Sequence, residues 1–262
     1  MGPAGDSSSG NTTSASGSTA TEPSVQDAQT ALNQAGIAPD VVPTFSPTSI
    51  LDVVYNDPTT NQAIVVEPGK NLTVAQTVNE PQFFLTSNDS SVASKTFLLA
   101  FVDPDAPTPQ NRSLSDIRHV LAPNLHISGT ANRALLVNST PAITDYLAPG
   151  PPPGSGPHRY TVLLFVQPDN FSSAAAGLVD QSTPRTNFNL TTFAQKTGLG
   201  DPIAGTFFLT GPAQDASSGG NSTPTPSKGS ANGTLSGHLA TSDAMDLLLF
   251  IVSIGLLLSV EM

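Results

Sequence analysis

Apolar positions in this chain come in short runs cut by proline, glycine and asparagine, most too brief for a helix and spaced as strands are. Runs at 41–42, 50–55, 63–66, 83–85, 96–102, 119–127, 134–137, 160–166 and 207–209 predict strands. Two stretches read differently. Between 25 and 37, Val25, Ala28, Leu32 and Ala35 fall at helical spacing, and Gly36 sits near the stop. Residues 190–197 predict a short helix. Many strands, few helices and no strand–helix alternation predict a mainly β protein, an antiparallel β-sandwich with a few peripheral short helices. No internal repeat is visible.

Composition places the domain. Apolar residues make up 37% of the chain, a low share for a fully globular protein. The deficit lies at the ends. Residues 1–24 are rich in Ser, Thr and Gly and are expected to be disordered, because they cannot bury enough apolar surface to offset ordering entropy. Residues 25–210 hold nearly all the aromatics and form the expected domain. A Ser/Thr/Gly/Pro-rich linker at 211–243 and a hydrophobic tail at 244–262 follow.

Charge excludes some partners. The net charge is −11, with nine Lys and Arg. Nucleic acid is not expected, since its binding depends on cations that neutralise phosphates. There is no polybasic patch for anionic lipid. Without cysteine, the chain has no disulfide, zinc thiolate or thiol nucleophile. No His, Asp and Glu are clustered at metal-ligand spacing, so neither metal nor cofactor is expected.

Other signals point outside the cell. Asn-X-Ser/Thr sequons at Asn71, Asn88, Asn111, Asn138, Asn170 and Asn189 fall in the domain, with three more at Asn11, Asn221 and Asn232. Residues 247–260 read LLLFIVSIGLLLSV, an apolar run shorter than the roughly 20 residues of a membrane span. Small residues around 230–234 and a polar spacer precede it. This is the pattern of a glycosylphosphatidylinositol attachment signal, with Asn232 as the expected attachment residue. The expected location is secreted and cell-surface, held to the plasma membrane or cell wall by a lipid anchor. Residues 1–6 open on no apolar leader, so a leader upstream of Met1 is expected.

Two polar runs carry the candidate chemistry. Asp103-Pro104-Asp105-Ala106-Pro107 leaves the apolar strand at 96–102, and its prolines exclude helix. Gly150-Pro151-Pro152-Pro153-Gly154-Ser155-Gly156-Pro157-His158-Arg159-Tyr160 feeds the strand at 160–166. Two stiff polar rims on two core strands can build a small preformed pocket. Gly154-Ser155-Gly156 lacks the spacing of a nucleophile elbow, and no Lys-Ser/Thr follows the glycines as a P-loop requires. No nucleophile–base–orienter set is visible, so no catalytic residue is expected.

These runs resemble the two signatures of the phosphatidylethanolamine-binding proteins. His119 in Arg118-His119-Val120-Leu121, Asn124, Asp145-Tyr146 and the run Pro202-Ile203-Ala204-Gly205-Thr206-Phe207-Phe208 support the resemblance. The opening 36–45 looks like that of fungal secreted members. The resemblance covers about 25–210. It implies a central antiparallel sheet packed on a smaller one, and a shallow pocket for phosphate or phospholipid headgroups. Carried over by motif position, the ligand-binding residues are Asp103, Pro107, His119, Pro152, His158 and Tyr160. Both histidines and Tyr160 could donate hydrogen bonds to phosphate oxygens, and affinity is expected to rise as pH falls through the histidine range. Asp103 would position a histidine, and Asp105 reads as mainly structural. The family's yeast carboxypeptidase inhibitor adds a second expected partner, a serine carboxypeptidase. A structural wall glycoprotein with a vestigial pocket is a third reading. The chain departs from the pattern at Ile117, where an aromatic residue is usual, at Arg118, and at Pro123 within a strand.

Overall fold

A computed structural model describes residues 24–213 apart from residue 131. Nearly all of segment 1–24, the linker 211–243 beyond residue 213, the tail 244–262 and the attachment residue Asn232 lie outside the described residues.

Among the described residues nine strands form: β1 (Ser49–Asn56), β2 (Ala63–Val65), β3 (Lys70–Asn71), β4 (Gln82–Ser87), β5 (Phe97–Asp103), β6 (Ile117–Ser128), β7 (Ala134–Asn138), β8 (His158–Val166) and β9 (Ala204–Thr210). Among the described residues four α-helices accompany them: α1 (Val25–Gln34), α2 (Ile37–Asp40), α3 (Phe171–Ala175) and α4 (Leu190–Thr197). The mainly β architecture is the one read from the sequence. Its layers are joined differently. All nine strands hydrogen-bond into one sheet, in the order β2-β1-β4-β7-β6-β5-β8-β9-β3. The pairs are antiparallel except β3 with β9, which is parallel over two residues. The sheet curls until its far strands face each other. The Tyr55 ring of β1 meets the Phe208 ring of β9 edge-on at 5.6 Å, although several strands separate them.

β5 shows why both faces hold. All seven of its residues are buried. Phe97, Leu99 and Phe101 point into the curl, where they meet Leu51, Val53, Leu85, Val162, Leu164 and Phe208. Leu98, Ala100 and Val102 point outward and are covered by Leu32, Ile37, Val41, Phe45, Phe171 and Phe193, from or beside the helices. Period-two alternation therefore has no polar face here, as expected for a strand sandwiched between two apolar layers. Each of the Phe, Leu and Val side chains among them contributes about 1.5–3 kcal/mol by burial.

The N-terminal segment departs from the single helix predicted over 25–37. Ser24 and Asp27 form a capping box that starts α1. Gly36, at φ +70°, then turns the chain in a left-handed conformation, and α2 follows. Val41 and Val42, read as strand, instead pack their side chains beneath the sheet as the chain leaves α2.

Two irregularities in β6 position the site. Along the β5–β6 pair, Phe101 faces Val120 and Val102 faces Arg118. His119 is the extra residue, so it sits in a bulge. The second shift, between Phe97/Leu125 and Leu99/Ala122, absorbs Pro123 and Asn124, the latter at φ +58°. A proline that cannot join the ladder is accommodated in this way.

Candidate functional site

The first bulge decides where His119 points. Plain alternation would put it on the face opposite Val120. The extra residue turns its ring into the curl, against Phe101 at 5.2 Å and Tyr160 at 5.1 Å between ring centroids. Arg118 goes the other way. It is buried on the outer face, its guanidinium 5.1 Å over the Phe188 ring and donating to the Thr183 carbonyl at 2.9 Å. It therefore adds no donor beside His119.

Leu147 clamps His119 from both sides. Its N–H donates to the His119 carbonyl at 2.9 Å, and its carbonyl accepts from the His119 ring Nδ1–H at 2.6 Å. His158, at the start of β8, donates from Nδ1 to Asp103 Oδ2 at 2.8 Å, with both side chains nearly inaccessible. Asp103 Oδ1 accepts the Asp105 N–H at 2.8 Å. Each ring is thus held by Nδ1, and Nε2 of both is buried without a protein partner. Tyr160 lies between them, stacked on His158 at 6.3 Å and on Phe208 at 5.4 Å.

Asp105 does different work from Asp103. Arg159 grips it with a fork, Nε to Oδ2 at 2.9 Å and Nη2 to Oδ1 at 2.7 Å, and its backbone N–H adds a third bond at 2.8 Å. Arg159 also reaches the Ala35 carbonyl at 2.6 Å and Asp40 at 2.9 Å, and Arg112 bonds Asp40 at 2.6 Å. This network ties the carboxylate loop and β8 to the N-terminal helices. Burial works to raise the Asp105 carboxyl, and the Arg159 bonds outweigh it and hold it lowered.

The proline rims flank the histidines. Pro107 is half-buried four residues beyond Asp103, and half-buried Pro152 accepts a backbone bond from Ser155 at 3.1 Å. The structure thus brings His119, His158, Asp103 and Tyr160 into one cluster, with both prolines on the loops leading from it. Among the described residues no three His, Asp or Glu side chains converge as metal ligands. The six domain sequons, Asn71, Asn88, Asn111, Asn138, Asn170 and Asn189, are all exposed.

Burial governs the protonation of this cluster. It pushes His119 below its ordinary 6.5, and the Leu147 bond and Asp103 only partly oppose it. The histidine window expected from the sequence therefore moves to lower pH for His119. Burial first, and then Asp103, raise the Tyr160 hydroxyl, so it stays a neutral donor.

Two residues of this region were missed by sequence reasoning. Thr210 faces His158 directly across the β8–β9 pair. It is fully buried, and its Oγ1 has no protein partner. No motif marks it; only the strand register does. Asp116, just before β6, is also buried. Burial raises its carboxyl to about 7, the Ser115 hydroxyl bond opposes this, and Asp103 adds to the rise. A lone aspartate in a polar run gives no hint of that burial.

Comparison with known proteins places these residues in context. A family model described as phosphatidylethanolamine-binding protein matches residues 61–208. A 26 kDa secreted antigen from Toxocara canis is 31% identical over 177 residues, covering 66% of this chain and 60% of the antigen. The carboxypeptidase Y inhibitor from Saccharomyces cerevisiae is 28% identical over 164 residues, covering 53% of this chain and 73% of the inhibitor. The solved structure of carboxypeptidase Y inhibitor complexed with its cognate proteinase superposes with a TM-score of 0.60 at 28% identity, over 72% of this chain and 97% of that one. A phosphatidylethanolamine-binding protein from Plasmodium vivax superposes at 0.54 with 17% identity, a likeness of fold alone.

Proposed function

The chain belongs to the phosphatidylethanolamine-binding protein family, and from that premise we propose that it is a non-catalytic receptor for phosphate-bearing ligands, including phospholipid headgroups. One observation carries this reading. Nε2 of His119 and of His158 are buried without a partner, while Nδ1 of each ring is fixed by Leu147 and Asp103. Leaving such groups unpaired costs about 1–3 kcal/mol each, a cost that a ligand can recover. In a water-poor setting each hydrogen bond to an oxyanion also counts for more than at the surface. The binding residues are His119 and His158, with Tyr160 as a neutral donor, Asp103 as the positioning carboxylate, and Pro107 and Pro152 as rims. Calorimetric titration of the full chain with phosphoethanolamine and inorganic phosphate tests this. Binding that is lost in His119→Ala and in Asp103→Ala is expected. No binding by the unmodified protein, or binding unchanged in both variants, overturns the reading.

A second reading is inhibition of a serine carboxypeptidase. It is favoured by the likeness to the yeast inhibitor over nearly all of the solved inhibitor chain. An activity assay of such an enzyme with increasing amounts of the full chain checks it, and a flat curve removes it. The secreted antigen among the relatives supports a secreted location. Anchoring through Asn232 and glycosylation of the six exposed sequons extend that proposal. Release from cells by a phosphatidylinositol-specific phospholipase C, with a mass loss on deglycosylation, is the expected result.

A further inference from the structure

The sheet parts between β4 and β7. The two strands pair only through Phe84 with Leu135 and Leu85 with Ala134. Beyond that point each follows its other neighbour. β4 stays with β1 as far as Gln82, and β7 stays with β6, where Asn138 faces Leu125. The wedge between them is a cavity of about 220 Å³. Leu99 of β5 and Val120, Ala122 and Leu125 of β6 line it, with Phe83 and Leu136 on the two parted strands. His119, His158, Asp103 and Tyr160 are not among its lining residues, so it is separate from the histidine cluster.

Three exposed polar residues also line it: Glu80 and Gln82 from one side and Asn138 from the other. Asn138 is a sequon asparagine, followed by Ser139 and Thr140. Of the six domain sequons it alone lines this cavity. Alternation explains why. Ala134, Leu136 and Asn138 share one face of β7, and Leu136 belongs to the core inside the curl. The side chain that carries a glycan therefore leaves the strand on the cavity side. The next residues are pinned to β6. The Ser139 N–H and hydroxyl donate to the Asn124 carbonyl at 3.1 and 3.0 Å, and Thr140 Oγ1 accepts from Asn124 Nδ2 at 2.9 Å. These bonds hold the end of β7 in place, and Asn138 with it.

The lining matches the sugar that N-glycosylation attaches first. N-acetylglucosamine has apolar ring faces and an acetamide methyl, together with hydroxyls and an amide. The apolar side chains, the Phe83 ring among them, suit the former. Glu80 and Gln82 suit the latter. Burial and then Asp145 raise the Glu80 carboxyl above its ordinary 4.5, and no cation among the described residues offsets them, so it gains from an N–H or O–H donor. The volume is below the roughly 300–1,000 Å³ of ordinary small-molecule pockets, and it suits one sugar residue rather than a phospholipid. We propose that the core N-acetylglucosamine on Asn138 seats in this cavity and closes the wedge between β4 and β7, making that one sugar part of the fold. The proposal rests on the secreted, glycosylated reading and goes beyond it by giving a single sequon a structural role.

The test uses the full chain secreted from a eukaryotic host and the same chain made without glycans in bacteria, each as unmodified protein and as Asn138→Gln. Peptide mass spectrometry reports the occupancy of Asn138. An unoccupied Asn138 overturns the proposal together with the glycosylation reading at that residue. With Asn138 occupied, Asn138→Gln should lower the melting temperature of the secreted protein by about 2–4 °C and leave the bacterial protein unchanged. Trimming with an endoglycosidase that leaves one N-acetylglucosamine at each site should preserve that difference. NMR of the trimmed, unmodified protein should show contacts between the acetamide methyl on Asn138 and the Phe83 ring. Equal effects of Asn138→Gln in the two hosts, or an acetamide methyl without contacts in the cavity, overturn the proposal and leave the glycosylation reading standing. Asn170→Gln removes a sequon outside the cavity and should show no host-dependent loss. The same loss there would mark a general effect of glycans and also overturns the proposal.

Discussion

Asp103 Oδ2 and His158 Nδ1 lie 2.8 Å apart, joining the end of β5 to the start of β8 across 55 residues of sequence. The contact fixes which nitrogen of His158 is free. Asp103→Ala leaves the buried Nδ1–H without its acceptor, which costs about 1–3 kcal/mol. Denaturant unfolding should show that loss. Phosphoethanolamine affinity should fall at least about ten-fold as well, because the ring loses its orientation.

Asp116 sets a pH dependence of stability. Its folded carboxyl titrates near 7, against an ordinary 3.8 in the unfolded chain. Between these values the folded state binds more protons, so this group lowers stability as pH rises from about 4 to about 7. Buried, neutral His119 acts in the opposite sense. Its contribution is present above its ordinary 6.5 and is lost as pH falls below that. Asp116→Asn keeps an acceptor for the Ser115 hydroxyl and should remove the Asp116 part of the slope. Melting curves from pH 4 to 8 check this, with the variant gaining most at the alkaline end.

Thr210 separates binding from stability. Its hydroxyl is buried with no protein partner, so Thr210→Val removes a polar group that contributes nothing to the free fold. The variant should melt at or above the unmodified protein's temperature and bind phosphoethanolamine more weakly. Calorimetry and a thermal melt on one preparation distinguish this from simple damage to the core.

Gly205 marks a close approach of β9 to β8. A Cβ there would meet Leu163 Cδ2 at 2.6 Å, the Val162 carbonyl at 3.0 Å and Phe45 Cε2 at 3.2 Å. Backbone and packed core surround it, so the neighbours have little room to give. Gly205→Ala should cost about 1–3 kcal/mol by overpacking, read as a lower denaturation midpoint.

The sequence discloses the strands and the signature loops well, because local patterns carry them. The apolar run at 96–102 lies almost wholly in β5, and residues 190–197 are α4. What it hides depends on partners distant in sequence. The bulge that turns His119 inward exists only against β5, so alternation within β6 cannot reveal it. Lys70–Asn71 is too short to read as a strand, and its parallel pairing with β9 is set by the closing of the sheet. Val41 and Val42 look like strand residues because β-branched pairs do, yet the turn at Gly36 delivers them to the helical layer. The raised carboxyl of Asp116 and the position of Thr210 follow from burial and register, which no motif encodes.

The ring nitrogens themselves give the most direct measurement. Nitrogen-detected NMR of His119 and His158 in the full chain, at pH 7.5, reports the state of each nitrogen before and after saturation with phosphoethanolamine. Without ligand the His119 Nδ1 should show a protonated shift and its Nε2 a lone-pair shift. On saturation both Nε2 resonances should move toward the hydrogen-bonded or protonated range while Nδ1 stays. Nε2 resonances that remain in place at saturation, or a His119 ring that begins with its proton on Nε2, would contradict the account.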